Sequence, residues 1–83
     1  MLTLKVVFIG KTPYDEQIIK NTQIEVADGT TLTQLLQELK REFSVDTSTN
    51  FILLNNKDVR SLPPDSKLSN GDTISIVSII AGG

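Results

Sequence analysis

The sequence contains no cysteine and no histidine, and those two absences exclude most of the chemistry a small protein can carry. Without cysteine there is no disulfide and no thiol chemistry, a composition compatible with the cytoplasm. Without histidine, Ser75 and Ser78 lack the base that ordinarily activates a hydroxyl, so nucleophilic catalysis in its usual form is excluded. No cluster with metal-ligand spacing and no glycine-rich phosphate loop is present. Catalytic residues and metal ligands are therefore both read as none, and no cofactor is expected to be bound. Positive charge is also thin: eight Lys and Arg against ten Asp and Glu leave a formal charge of −2. Lys40-Arg41 is the only adjacent basic pair, which leaves no electrostatic footprint for nucleic acid. No apolar run is long enough to span a membrane, and no signal-peptide pattern opens the chain. The expectation is a cytoplasmic protein whose residues 1–83 form one domain with a modest core.

What is present is periodic. Leu2 to Ile9 alternates, with Leu2, Leu4, Val6 and Phe8 on one face and Thr3, Lys5, Val7 and Ile9 on the other, which predicts a strand. Gly10 to Asn21 is polar, contains Pro13 and the run Tyr14-Asp15-Glu16, and reads as a hairpin loop. The adjacent acids there are read as a solvated loop rather than an acid–base pair. Gln23 to Val26 is a second strand with Ile24 and Val26 inward, closed by Asp28-Gly29. Thr31 and Gln34 have capping-box spacing and open a helix. Leu32, Leu35, Leu36, Leu39 and Phe43 make one apolar stripe on it. Lys40-Arg41 falls in the last turn, where positive charge suits the helix dipole. The helix ends near Ser44, and Asp46 to Asn50 is a polar connection.

Phe51 to Leu54 is a third strand, apolar on both faces, so periodicity does not say which side chains turn inward. Asn55-Asn56 signals a tight turn, Val59 anchors a short fourth strand, and Pro63-Pro64 keeps 61–70 irregular with Leu62 and Leu68 as pegs. Asn70-Gly71 then opens a β-branched strand over Thr73 to Ile80, with Ile74 and Ile76 inward. Strand, strand, helix, strand, short strand, strand is the order of a two-layer α+β domain, the helix covering one face of the sheet.

The sequence closes on Gly82-Gly83. At an ordinary glycine usage of roughly 7%, two at one fixed place have a chance of about 0.5%. Glycine has no Cβ, so residues 81–83 are expected to form a thin, flexible tail able to enter a narrow channel. A free Gly83 carboxylate is ionised at neutral pH. It can attack a nucleotide phosphate to give an acyl-adenylate, which a sulfur or amine nucleophile can open.

The β-β-α-β-β-β order, Leu68-Ser-Asn-Gly-Asp72 before the last strand, and the terminal Gly82-Gly83 resemble the ubiquitin-like β-grasp fold. Within it they are similar to the small sulfur carriers, namely the molybdopterin-synthase small subunit and the thiamin-thiazole sulfur carrier. The resemblance implies a mixed sheet with one main helix on one face. It also implies a Gly83 carboxylate adenylated by a ubiquitin-activating-type enzyme using Mg-ATP, then converted to a thiocarboxylate that donates sulfur in cofactor biosynthesis. The chain would then be a carrier and co-substrate, not an enzyme, and at most the small subunit beside a synthase large subunit. In that arrangement the last strand lies parallel to the first. Val7 and Ile9 would lie beside Val77 and Ile79 on the face away from the helix, and with Ala81 they form the expected partner-binding patch at the base of the tail.

Two features divide the branches. Where the molybdopterin type carries a Pro-Pro pair shortly before its Gly-Gly, Val77-Ser78-Ile79-Ile80 stands here, and Ile80-Ala81-Gly82-Gly83 is similar to the thiazole type. Length and the long Gly10–Asn21 loop point to the molybdopterin type. A ubiquitin-like modifier joined through Gly83 to target lysines needs the same activation and is the alternative. A plain β-grasp interaction module, indifferent to its tail, is a third class.

Overall fold

In a computed structural model of the chain, the described residues are 1–11, 17–45, 47–48 and 50–79, with the side chains of 11, 17, 18 and 79 set aside. Strands β1 (Leu2–Lys11) and β2 (Gln17–Val26) form a hairpin, helix α1 (Leu32–Phe43) follows, and β3 (Phe51–Leu54), β4 (Lys57–Asp58), a 3₁₀ turn (Val59–Ser61) and β5 (Thr73–Ile79) complete the order. The five strands make one mixed sheet in the order β2-β1-β5-β3-β4. β1 and β5 are parallel at its centre, and the other pairings are antiparallel.

Helix α1 begins where its capping box predicts. The Gln34 N–H donates to the Thr31 hydroxyl (3.3 Å) and the Thr31 N–H to the Gln34 side chain (3.0 Å), which satisfies two otherwise orphaned donors. It ends on Ser44 in the left-handed region at φ 57°, whose N–H reaches back to the Lys40 carbonyl. The Leu stripe turns onto the sheet: Leu32, Leu35 and Leu39 are buried against Leu4, Val6, Ile74 and Ile76, and Leu36 is partly covered. Phe43 closes that core by an edge-to-face contact with Phe8, ring centroids 5.1 Å apart. Among the described residues no polar side chain is buried, so the buried contact between helix and sheet is apolar.

The last strand is held in place by polar groups on either side of its start. Gly71, at φ 88°, donates its N–H to the Thr3 carbonyl (2.8 Å), the Thr3 N–H donates to Asn70 Oδ1 (2.8 Å), and the Lys5 N–H to the Asp72 carbonyl (2.9 Å). Opposite, Asn55 exchanges hydrogen bonds with Thr73 through both its backbone N–H (2.8 Å) and its side-chain oxygen (2.9 Å), and its amide donates to Asp72 (3.0 Å). Asp72 Oδ2 also accepts the Ser69 N–H at 2.8 Å. Asn55 and Asn56 take the left-handed angles their turn requires, φ 50° and 69°.

Three expectations change. The hairpin loop is shorter than Gly10–Asn21: β1 runs on to Lys11 and β2 already starts at Gln17. Lys20 and Asn21 lie on an edge strand open to water, where polar residues do not oppose strand formation. The Pro13 and Tyr14-Asp15-Glu16 readings lie outside the described residues, as do the Asp46 and Thr49 parts of the polar connection. Val59 is buried, but in the 3₁₀ turn; the fourth strand is the Lys57–Asp58 pair before it. The third change concerns register and bears on the site.

Candidate interaction face and the tail it leads to

Side chains opposite one another in a ladder share a face of the sheet, so the register decides what the outer face presents. Ile9 pairs with Ile19 on β2 and with Val77 on β5, and Val77 pairs with Phe51 on β3. Ile19, Ile9, Val77 and Phe51 therefore form one apolar row across four strands, on the face away from α1. Ile19 and Phe51 are 56% and 53% exposed, while Ile9 and Val77 are half-buried. The next row back, Asn21–Val7–Ser75–Leu53, is mixed, and the row after it carries Gln23, Lys5 and Thr73. Polarity thus falls from the Lys5 row to the Ile9 row, and one further row, with Lys11 paired to Gln17 and Ile79, separates it from the carboxyl end of β5, where residues 80–83 continue.

Of the expected patch, Val7, Ile9 and Val77 lie on this face. The pairing differs from expectation: Val7 lies opposite Ser75, Ile9 opposite Val77, and Ile79 opposite Lys11. Hydrogen bonding of Lys5 to the Asp72 carbonyl sets that offset, and nothing in either strand's own sequence encodes it. The Ile79 side chain, Ala81, Gly82 and Gly83 lie outside the described residues. Phe51 and Ile19 were missed. Phe51 sits in a strand apolar on both faces, and Ile19 falls in the Gly10–Asn21 stretch that reads as a loop; the Ile18-Ile19 pair is the available signal.

The β3 end of the row carries a cation. The Arg60 guanidinium lies over the Phe51 ring, 5.0 Å from its centroid, and donates to Asp58 through Nη2 (2.9 Å) and Nε (3.3 Å). This hydrogen bond to Arg60 holds the Asp58 carboxyl below the usual carboxylate range, and the same contact raises Arg60. Lys40-Arg41 falls in the last turn of α1, and Arg41 hydrogen-bonds Glu38 one turn earlier on the helix, which raises its pKa. An open hollow of about 750 Å³ beside it, lined by Asp28, Gln34 and Glu38 among others, sits near Val26. Val26 pairs with Leu2, at the far end of β1 from the apolar row.

The ThiS family model matches residues 13–83. The chain belongs to the ThiS family. No curated protein matches it by sequence. Its fold is similar to that of a putative molybdopterin converting factor subunit 1 from Pyrococcus furiosus, at 16% identity and TM-score 0.64, covering 96% of this chain and 100% of that one. A chain from the complex of subunits 1 and 2 of the molybdopterin-converting factor from Helicobacter pylori is 28% identical, with TM-score 0.53, covering 99% and 100%. A ubiquitin-like protein from the archaeon Caldiarchaeum subterraneum, at 12% identity and TM-score 0.53 over 94% and 99% of the two chains, shares the fold. The ThiS-family domain is thus a ubiquitin-like β-grasp of the sulfur-carrier kind. Among its described residues, no helix is long and apolar enough to cross a membrane.

Proposed function

We propose that this ThiS-family chain is a cytoplasmic sulfur carrier whose reactive group is the Gly83 carboxylate. The observation that carries the reading is the apolar row Ile19–Ile9–Val77–Phe51, set beside the strand end from which the Gly-Gly sequence continues. A ubiquitin-activating-type enzyme docks on that row and takes the tail. With Mg-ATP, the carboxylate attacks the α-phosphorus, pyrophosphate leaves, and an acyl-adenylate forms. A sulfur nucleophile then attacks the acyl carbon and AMP leaves, giving the terminal thiocarboxylate. The chain supplies no acid, base or metal to either step; it supplies a carboxylate and a place to hold it.

The likeness to the Helicobacter pylori factor supports the molybdopterin branch, with a synthase large subunit as the second protein to use the same face. The absence of a Pro-Pro pair before Gly82-Gly83 favours the thiazole branch as the second reading. The longer-loop argument for the molybdopterin branch loses weight, because most of 10–21 is paired strand. Family membership favours a carrier over a modifier joined to lysines. Incubation with the source organism's adenylating enzyme, Mg-ATP and sulfide, followed by intact-protein mass spectrometry, is the test. Exchange of one oxygen for sulfur at Gly83 is expected. An unchanged mass, or adenylate discharged only onto lysines, would refute the carrier reading.

A further inference from the structure

The β3 end of the apolar row is more ordered than an exposed surface requires. Asp58 caps the 3₁₀ turn that carries Arg60: its carboxylate accepts the Arg60 N–H (2.9 Å), and its carbonyl accepts the Ser61 hydroxyl (2.7 Å). Val59, between them, is buried in the core. The same carboxylate takes Nε and Nη2 of the side chain, and the guanidinium carbon lies 5.0 Å from the centroid of the Phe51 ring. The two-point contact with Asp58 constrains the guanidinium before any partner arrives, which reduces the side-chain freedom lost on docking. Among the described residues Nη1 meets no acceptor, so one edge of the fork remains for a partner.

Asp58 already supplies the counter-charge, so the pair enters an interface as a neutral unit. Its remaining donors then call for lone pairs rather than a second negative charge, and a carbonyl oxygen meets that need. The occupant follows from the tail. Residues 80–83 span at most about 14 Å when fully extended, so an enzyme acting on Gly83 has its body over the carboxyl ends of β1 and β5. An ordinary contact covers roughly 800 Å² on each partner, wide enough to include Phe51, whose pairing partner is Val77.

We propose that Arg60, set over Phe51 and held by Asp58, is the specificity-determining contact of the docking face, giving its Nη1 edge to a carbonyl oxygen of the adenylating enzyme. The inference rests on the carrier function proposed above. Arginine and aromatic anchors ringed by neutral contacts are the residue types that dominate such interfaces. Lysine keeps the charge but has neither the planar stack nor the second edge.

The test is steady-state thiocarboxylation by the source organism's ubiquitin-activating-type enzyme, with saturating Mg-ATP and sulfide and the carrier varied. Arg60→Lys and Phe51→Leu should each raise KM for the carrier about tenfold, the size of one interface anchor, with kcat and melting temperature unchanged. The double variant should be scarcely worse than either single one, because the two side chains act as a unit. A wild-type KM for Arg60→Lys overturns the proposal, since charge alone would then suffice. A raised KM accompanied by a lowered melting temperature in both variants also overturns it, because the effect would be on the fold. A wild-type dimer that Phe51→Leu dissociates would assign the face to a second copy instead. Failure of the wild-type chain to gain sulfur would overturn the carrier reading and this inference together.

Discussion

Ile76 and Val77 are neighbours in β5, yet their side chains point to opposite faces, and an aspartate at each should have opposite consequences. Ile76 has no exposed surface and lies between Phe8 and Ile52 in the ladder. A carboxylate there must stay neutral or be desolvated. An upward shift of some 3–5 pKa units carries the carboxyl to or past neutrality, and at pH 7 the cost of keeping it protonated levels off at about 4 kcal/mol. Losing the buried isoleucine adds about 2 kcal/mol. The sum is comparable with the whole stability of a domain this size, about 4–12 kcal/mol at the usual value per residue. Ile76→Asp should therefore be unfolded or barely folded at pH 7. Val77 is half-buried between Ile9 and Phe51. Val77→Asp forfeits part of one valine's burial and some strand preference, about 1–2 kcal/mol together, and the chain should stay folded. Docking is another matter, because an aspartate at the centre of the row would be buried unpaired against the partner. Urea melts followed by circular dichroism, beside an adenylation assay, separate the two effects. Similar losses of stability at both positions would refute the face assignment. A folded Val77→Asp adenylated at the wild-type rate would remove the row from the partner's footprint.

Leu39→Ala should cost about 2–5 kcal/mol in a denaturant melt, because Leu39 is fully buried beneath the helix and its removal leaves a cavity; a loss under about half a kcal/mol would mean α1 is not docked on the sheet. Asp58 is held below its unfolded value of about 3.9 by Arg60, so its contribution is complete above that value and is lost as pH falls through the lower folded pKa. The pair is exposed and screened by water, so Asp58→Asn should flatten the acid limb of the stability profile only slightly while leaving the slope above pH 5 unchanged, and an unaltered acid limb in pH-dependent melts would remove the pair from the linkage.

Much of this fold is written locally. Alternation in Leu2–Ile9, the Thr31/Gln34 box, the Leu stripe and the Asn55-Asn56 turn are signals within a few residues of one another, and each element formed where its signal stood. What was illegible depends on partners distant in sequence. The β2 edge carries polar residues that look like a loop until Leu2–Lys11 is laid beside them. Val59 is β-branched and apolar, which suits a strand; the Asp58 cap and the Pro63-Pro64 stretch turn it into a 3₁₀ anchor instead. Phe51 had no preferred face until pairing with Val77 gave it one. The offset between β1 and β5, fixed by Lys5 and Asp72 across 67 residues of chain, decides which apolar side chains meet; half of the resulting row was named from sequence. The Gly82-Gly83 signal was the plainest in the chain, and its chemistry is a matter for assay.

The most direct measurement therefore concerns Gly83 itself. Three residues of extended chain reach roughly 10 Å, and one added residue would displace the carboxylate by about 3.5 Å, far outside the tolerance for attack on a phosphate. Chains lacking Gly83, and chains with an alanine appended after it, are compared with wild type by intact-protein mass spectrometry after incubation with the adenylating enzyme, Mg-ATP and sulfide. Wild type should exchange one oxygen for sulfur, and both variants should keep their mass while melting at the wild-type temperature. Sulfur uptake by the chain lacking Gly83 would contradict the assignment of the chemistry to that carboxylate.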